Sequence, residues 1–179
     1  MRIVRPLTPR ELPLYRDHLM RLSPGDRYDR FCQAVGEAAI DRHIARLTPF
    51  DGLLIGAFED GVLRGAAELA WLRPAAARRA ELALSVEAAY RHRGLGTLLS
   101  ARALAAARNR GIRQVDLLCL ATNRAMIAIA RKFGAAIAVE AGQAELAIPL
   151  EAATALDRWR ETIDHAIAAW AGAAERLMA

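Results

Sequence analysis

The chain has 179 residues, of which 54% are apolar, and a net charge of +5, a balance that suits one folded domain and excludes intrinsic disorder. Two cysteines, Cys32 and Cys119, exclude a disulfide framework and lack metal-like spacing, so no metal is expected. No apolar run reaches the roughly 18 residues of a membrane helix, and Met1-Arg2-Ile3-Val4-Arg5-Pro6 lacks the apolar stretch of a signal peptide, so a cytoplasmic protein without a membrane span is expected.

Residues 2–7 read as a strand. Thr8-Pro9-Arg10-Glu11 starts a helix: Thr8 caps, Pro9 suits the first turn, and Glu11 reaches back to close a capping box. That helix runs to about Leu22, with Leu12, Tyr15, Leu19 and Leu22 on one face, and Pro13 blurs its start. Ser23-Pro24-Gly25-Asp26 is a turn and second cap before a short helix over 27–32, and a further helix covers about 36–47.

Residues 53–58 form a buried strand, Glu59-Asp60-Gly61 a hairpin turn, and 62–72 the partner strand. After Pro74 a third strand covers 79–86. A helix over 94–108 closes near Gly111, a strand spans 115–120, and a helix spans 123–133 with Gly134 at its left-handed end. Strands near 136–139 and 144–148 follow, and helix dominates from about 152. The order predicts an α+β domain over residues 1–149 and a helical extension over 150–179. In that extension Leu156, Trp159, Ile163, Ala166, Trp170, Ala173 and Leu177 form a heptad-like stripe, which covers the domain's own core or pairs two copies in a homodimer.

The most informative stretch joins the strand ending at Leu84-Ser85-Val86 to the helix opening at Gly94-Leu95-Gly96-Thr97. The leading end of a helix carries unpaired N–H groups and partial positive charge. Glycines let those groups approach a phosphate, Arg91 and Arg93 add permanent charge, and Thr97 and His92 add donors. A Walker loop is absent, and Leu99 stands where a dinucleotide fingerprint wants glycine or alanine.

Arg91-x-x-Gly94-x-Gly96, its preceding strand, and the helix Asn123-Arg124-Ala125-Met126 to Gly134-Ala135 resemble the acetyl-CoA signature of GNAT N-acetyltransferases over about residues 2–149. The resemblance implies the GNAT fold, a mixed and mostly antiparallel central sheet flanked by helices, with the C-terminal helix added. It implies acetyl-CoA as co-substrate. Backbone groups of Leu84, Ser85 and Val86 would pair with the pantetheine, and amides of Arg91, His92, Arg93, Gly94, Leu95, Gly96 and Thr97 would hold the pyrophosphate. Asn123 would steady the pantetheine or cap its helix, and Met126 would line the channel or the core.

The chemistry implied is attack of an amine on the thioester, with Glu81 as general base and Glu68, on the adjacent strand, as second candidate. Five extended residues separate Glu81 from Val86, about 17 Å, so a bulge or bridging water is expected. Many GNAT enzymes carry a proton-donating tyrosine four residues before the helix-ending glycine; here that position is Ala130. The segment from Arg21 to Phe31, together with Ala130-Arg131-Lys132, resembles bacterial protein lysine acetyltransferases, which favours a protein lysine as acceptor. An acetyl-CoA-binding sensor with little turnover is the alternative. Arginines dispersed along the chain, with 6% aromatics, argue against a nucleic-acid binder.

Overall fold

The computed structural model describes residues 2–74, 78–154 and 159. The stripe expected beyond residue 152 therefore lies, apart from Trp159, outside the described residues, as does the homodimer built on it. Among the described residues no helix is long and apolar enough to cross a membrane.

Strand β1 (Arg2–Pro6) leads through a 3-10 turn at Pro9–Glu11 into α1 (Leu12–Arg21). Glu11 Oε2 accepts from both the Thr8 N–H and its hydroxyl at 2.9 Å, as the capping box requires. Pro13 falls in the first turn of α1, where its missing N–H costs nothing. Helix α2 (Pro24–Phe31) starts earlier than its hydrophobic pattern suggests, because Ser23 Oγ accepts from the Asp26 N–H at 3.1 Å. Helix α3 (Glu37–Arg46) completes the first half.

The hairpin of β2 (Gly52–Glu59) and β3 (Val62–Trp71) turns through Asp60 and Gly61 at φ 49° and 75°, the left-handed pair that a two-residue hairpin demands. Then come β4 (Arg79–Val86), α4 (Leu95–Asn109), β5 (Gln114–Leu120), α5 (Arg124–Lys132), β6 (Ala136–Glu140) and β7 (Gln143–Pro149). The strands form one sheet in the order β1-β2-β3-β4-β5-β7-β6. Every neighbouring pair is antiparallel except β4 and β5.

Each face of the sheet has its own core. Ala80, Leu82 and Leu84 of β4 pack with Leu95, Leu99 and Ala103 of α4. On the other face Tyr15 and Leu19 of α1 and Ile40 of α3 pack with Leu54 and Ala66. The odd-numbered residues of β4, including Glu81 and Ser85, look toward the α1–α3 side because strand side chains alternate.

Candidate active site

The two parallel strands part company. Beta-strand β4 pairs with β5 only at Arg79↔Gln114, Ala80↔Val115 and Glu81↔Asp116. Beyond that point β5 stays with β7 out to Leu120, while β4 stays with β3 out to Val86. A fork therefore opens toward the C-terminal ends of β4 and β5, with Glu81 and Asp116 at its apex.

Ladder alternation decides which backbone groups face the fork. Leu72 N–H donates to Arg79 O, and Glu87 N–H to Arg64 O, both at 3.0 Å, so odd-numbered residues of β4 bond to β3. The N–H and C=O groups of Leu82, Leu84 and Val86 consequently face the fork. Ser85, expected to offer its backbone there, turns those groups to β3 opposite Ala66. The β3–β4 register runs unbroken from Trp71↔Ala80 to Gly65↔Val86, so the bulge expected near Glu81 is absent.

The turn before α4 sits at the open end of the fork. His92 has φ 59° and Gly94, the N-cap of α4, has φ 76°. Such left-handed residues beside a helix start gather backbone N–H groups into a concave anion cradle. No atom lies within 4 Å of where a Gly94 side chain would begin, so conformation alone demands glycine there. Gly96 is different: a Cβ would meet Ile129 Cδ1 at 2.9 Å, so its smallness lets α4 approach α5.

The fork and turn line a cleft of about 510 Å³. Leu84, Ser85 and Val86 form one wall and Arg91, His92, Gly94, Leu95, Gly96 and Thr97 its end. Asn123, the N-cap of α5, and Met126 within it lie across from them. Asn123 Oδ1 accepts from the Met126 N–H at 3.1 Å, so the helix is capped by the residue that faces the cleft. Arg93 does not reach the lining; its guanidinium lies 5.6 Å from the Tyr90 ring centroid. Glu81 is exposed and stands beside the fork's apex rather than in the lining.

A model of the acetyltransferase (GNAT) family matches residues 16–135, two-thirds of the chain. The chain belongs to the GNAT acetyltransferase family. Its fold is shared with the GNAT domain of S. lividans PAT, 24% identical with a TM-score of 0.72, covering 82% of this chain and 89% of that one. It is shared with the ribosomal-protein-S18-alanine N-acetyltransferase of Escherichia coli (18%, TM-score 0.66, covering 87% and 97%). It is also shared with the PaiA N-acetyltransferase of Thermoplasma acidophilum in complex with coenzyme A (20%, TM-score 0.64, covering 84% and 99%). No curated protein matches this acetyltransferase by sequence.

Three carboxylates in this GNAT domain hold partners that sequence reasoning does not supply, although one of them, Glu68, is itself a candidate base. Asp26 Oδ1 meets Arg91 Nη2 at 2.5 Å, and Arg91 Nε donates to Val86 O at 3.0 Å. Arg91 thus clamps α2 to the end of β4, and part of its charge is spent on Asp26. Burial raises the Asp26 carboxyl, but the Arg91 and Ser23 hydrogen bonds outweigh it and hold the pKa below the usual range.

Glu87 is the second. It accepts from Arg21 Nε at 2.8 Å and Arg64 Nη1 at 2.9 Å, and lies 3.2 Å from His18 Nδ1. Burial pushes its carboxyl up, but bonds from His18, Arg21 and Arg64 prevail and leave it at about 2. Burial also lowers the His18 pKa. An ionised Glu87 only accepts, so His18 Nδ1 carries the proton and Nε2 accepts from Ser85 Oγ at 2.9 Å. This chain of bonds ties α1 to the strand that walls the cleft.

Glu68 is the third. Tyr15 Oη, Arg30 Nη2 and His43 Nε2 converge on its Oε2 at 2.9, 2.8 and 2.8 Å. Burial raises its pKa, but the His43 bond and the Arg30 charge bring it to about 2. A carboxylate so stabilised is a poor proton acceptor near neutrality, which disfavours Glu68 as the base. The position of the family's tyrosine is closed as well. Ala130 is 0% exposed and packs in the α4-side core, so no side chain at 130 faces the cleft without repacking.

Proposed function

We propose that this acetyltransferase moves the acetyl group of acetyl-CoA to an amine, with a protein lysine as the preferred acceptor. The fork carries the reading: one strand's backbone edge that no neighbouring strand pairs, with Val86 O held by Arg91, open at the end where the anion cradle lies and closed beside a carboxylate. Pantetheine has alternating amide donors and acceptors, so it docks along Leu84 and Val86 as an added strand would. The amides from His92 to Thr97 take the pyrophosphate, and Asn123 and Met126 flank the arm. The open space at Gly94 and the lack of a side chain there fit such a ligand.

With the arm inserted from the open end, the thioester lies toward the apex, near Leu82. Glu81 is then a sequence neighbour of the reacting carbon rather than about 17 Å away. Glu81 takes a proton from the acceptor ammonium, and the neutral nitrogen attacks the thioester carbon. A fork-facing N–H of β4 stabilises the oxygen as it gains charge. The nitrogen gives up its second proton to solvent as the C–S bond breaks, and the CoA thiolate leaves to be protonated by solvent, since Ala130 offers no donor.

A protein lysine is favoured by the motif from Arg21 to Phe31, whose Asp26 and Arg30 reach the cleft. The experiment is a thiol-release assay over an amine panel with mass spectrometry of acetylated peptides. Release that depends on a lysine peptide supports the reading. Tight acetyl-CoA binding without release to any amine identifies a sensor instead.

A further inference from the structure

A second cavity, of about 340 Å³, lies on the α1–α3 face between the start of α1, the end of α3 and β2–β3. Its volume is at the small end of the roughly 300–1,000 Å³ usual for ligand sites. Leu7, Leu12, Leu47 and Leu54 give it an apolar body, and His43 and Glu68 stand in its wall. It shares no lining residue with the cofactor cleft.

Two observations join it to the chemistry. Arg30 lines the cleft and Glu68 lines the cavity, and their side chains meet at 2.8 Å, so one ion pair partitions the two spaces. Ala70 lines the cavity and is the register partner of Glu81 on β4. Across the sheet at this height the sequence is cavity, Ala70, Glu81, then the fork's apex opposite Asp116. A peptide placing an amine at Glu81 has this cavity within one or two residues' reach.

The geometry points to this cavity as the acceptor's specificity pocket: it takes a bulky apolar side chain that flanks the acetylated amine. The inference rests on the transferase reading. A charged flanking residue is disfavoured because the body of the cavity is apolar, and the carboxylate in its wall, Glu68, already holds Arg30 and His43 as partners.

The test uses the full chain saturated with CoA and synthetic hexapeptides holding one lysine. Leucine, alanine or glutamate is placed at each position within two residues of that lysine, and binding is measured by calorimetry. At one position the leucine peptide binds about tenfold tighter than the alanine peptide, and the glutamate peptide binds weakest. Ala70→Leu, which fills the cavity, lowers leucine-peptide affinity about tenfold more than alanine-peptide affinity. Leu47→Ala, which enlarges it, shifts preference from leucine toward tryptophan, and thermal melts confirm that both variants fold. Equal affinity for the three peptides at every position, or no selective effect of either substitution, overturns the assignment. Turnover without discrimination sinks the pocket alone; discrimination without turnover sinks the transferase reading.

Discussion

Glu81 and Asp116 form the last parallel pair before β4 and β5 separate. A carboxylate on the α1–α3 side therefore marks the blind end of a backbone fork whose open end is the phosphate-type turn. Strand direction, turn conformation and the candidate base are fixed relative to one another by that single geometry.

Glu81→Gln is expected to lower turnover by roughly 10²- to 10⁴-fold while leaving acetyl-CoA affinity within a factor of about two. Thiol release across pH, with calorimetry on the same variant, measures both. Equal rates for wild type and variant at every pH exclude Glu81 as the base.

Asp26→Asn removes a carboxylate from the cleft wall and releases Arg91 from its 2.5 Å pair. Acetyl-CoA is expected to bind more tightly, by about three- to tenfold at low salt, with the gain shrinking as ionic strength rises. Titrations at two salt concentrations check the sign and the trend.

Ala130→Tyr is expected to destabilise the fold by about 1–3 kcal/mol rather than to raise the rate, because position 130 faces a packed core. Chemical denaturation and thiol release on one preparation separate the two effects. A faster, equally stable variant contradicts this packing.

Stability is expected to fall in acid. Glu68 and Glu87 hold folded-state pKa values of about 2 against the ordinary 4.5. Groups with depressed folded pKa stabilise above the unfolded value, and that contribution is lost as pH falls from about 4.5 toward 2. For the well-buried Glu68 the linkage is worth up to ~3 kcal/mol. Denaturant midpoints between pH 7 and 2.5 test this, and Glu68→Gln should flatten part of the slope.

Local signals were enough for most of the architecture. The β4 bounds follow from Pro74 on one side and the charged turn on the other, and Asn123 and Gly134 bracket α5 by capping chemistry alone. The turn from Arg91 to Thr97 is legible because its glycines and arginines are contiguous. The hubs at Glu87 and Glu68 are not legible, since their partners stand far away in the chain: His18 is 69 residues from Glu87, and Tyr15 is 53 from Glu68. Gly96 gives no hint of Ile129, and the diversion of Arg93 to Tyr90 needs the folded turn. Pairing parity sends Ser85's backbone away from the cleft, and a strand's register cannot be read from the strand alone.

Backbone amide NMR during a CoA titration tests the central claim most directly. Shifts confined to Leu84, Val86, residues 92–97 and the start of α5 are the expected result. No perturbation at millimolar CoA, or shifts centred on the cavity at Ala70 instead, contradicts a cofactor seated in the fork.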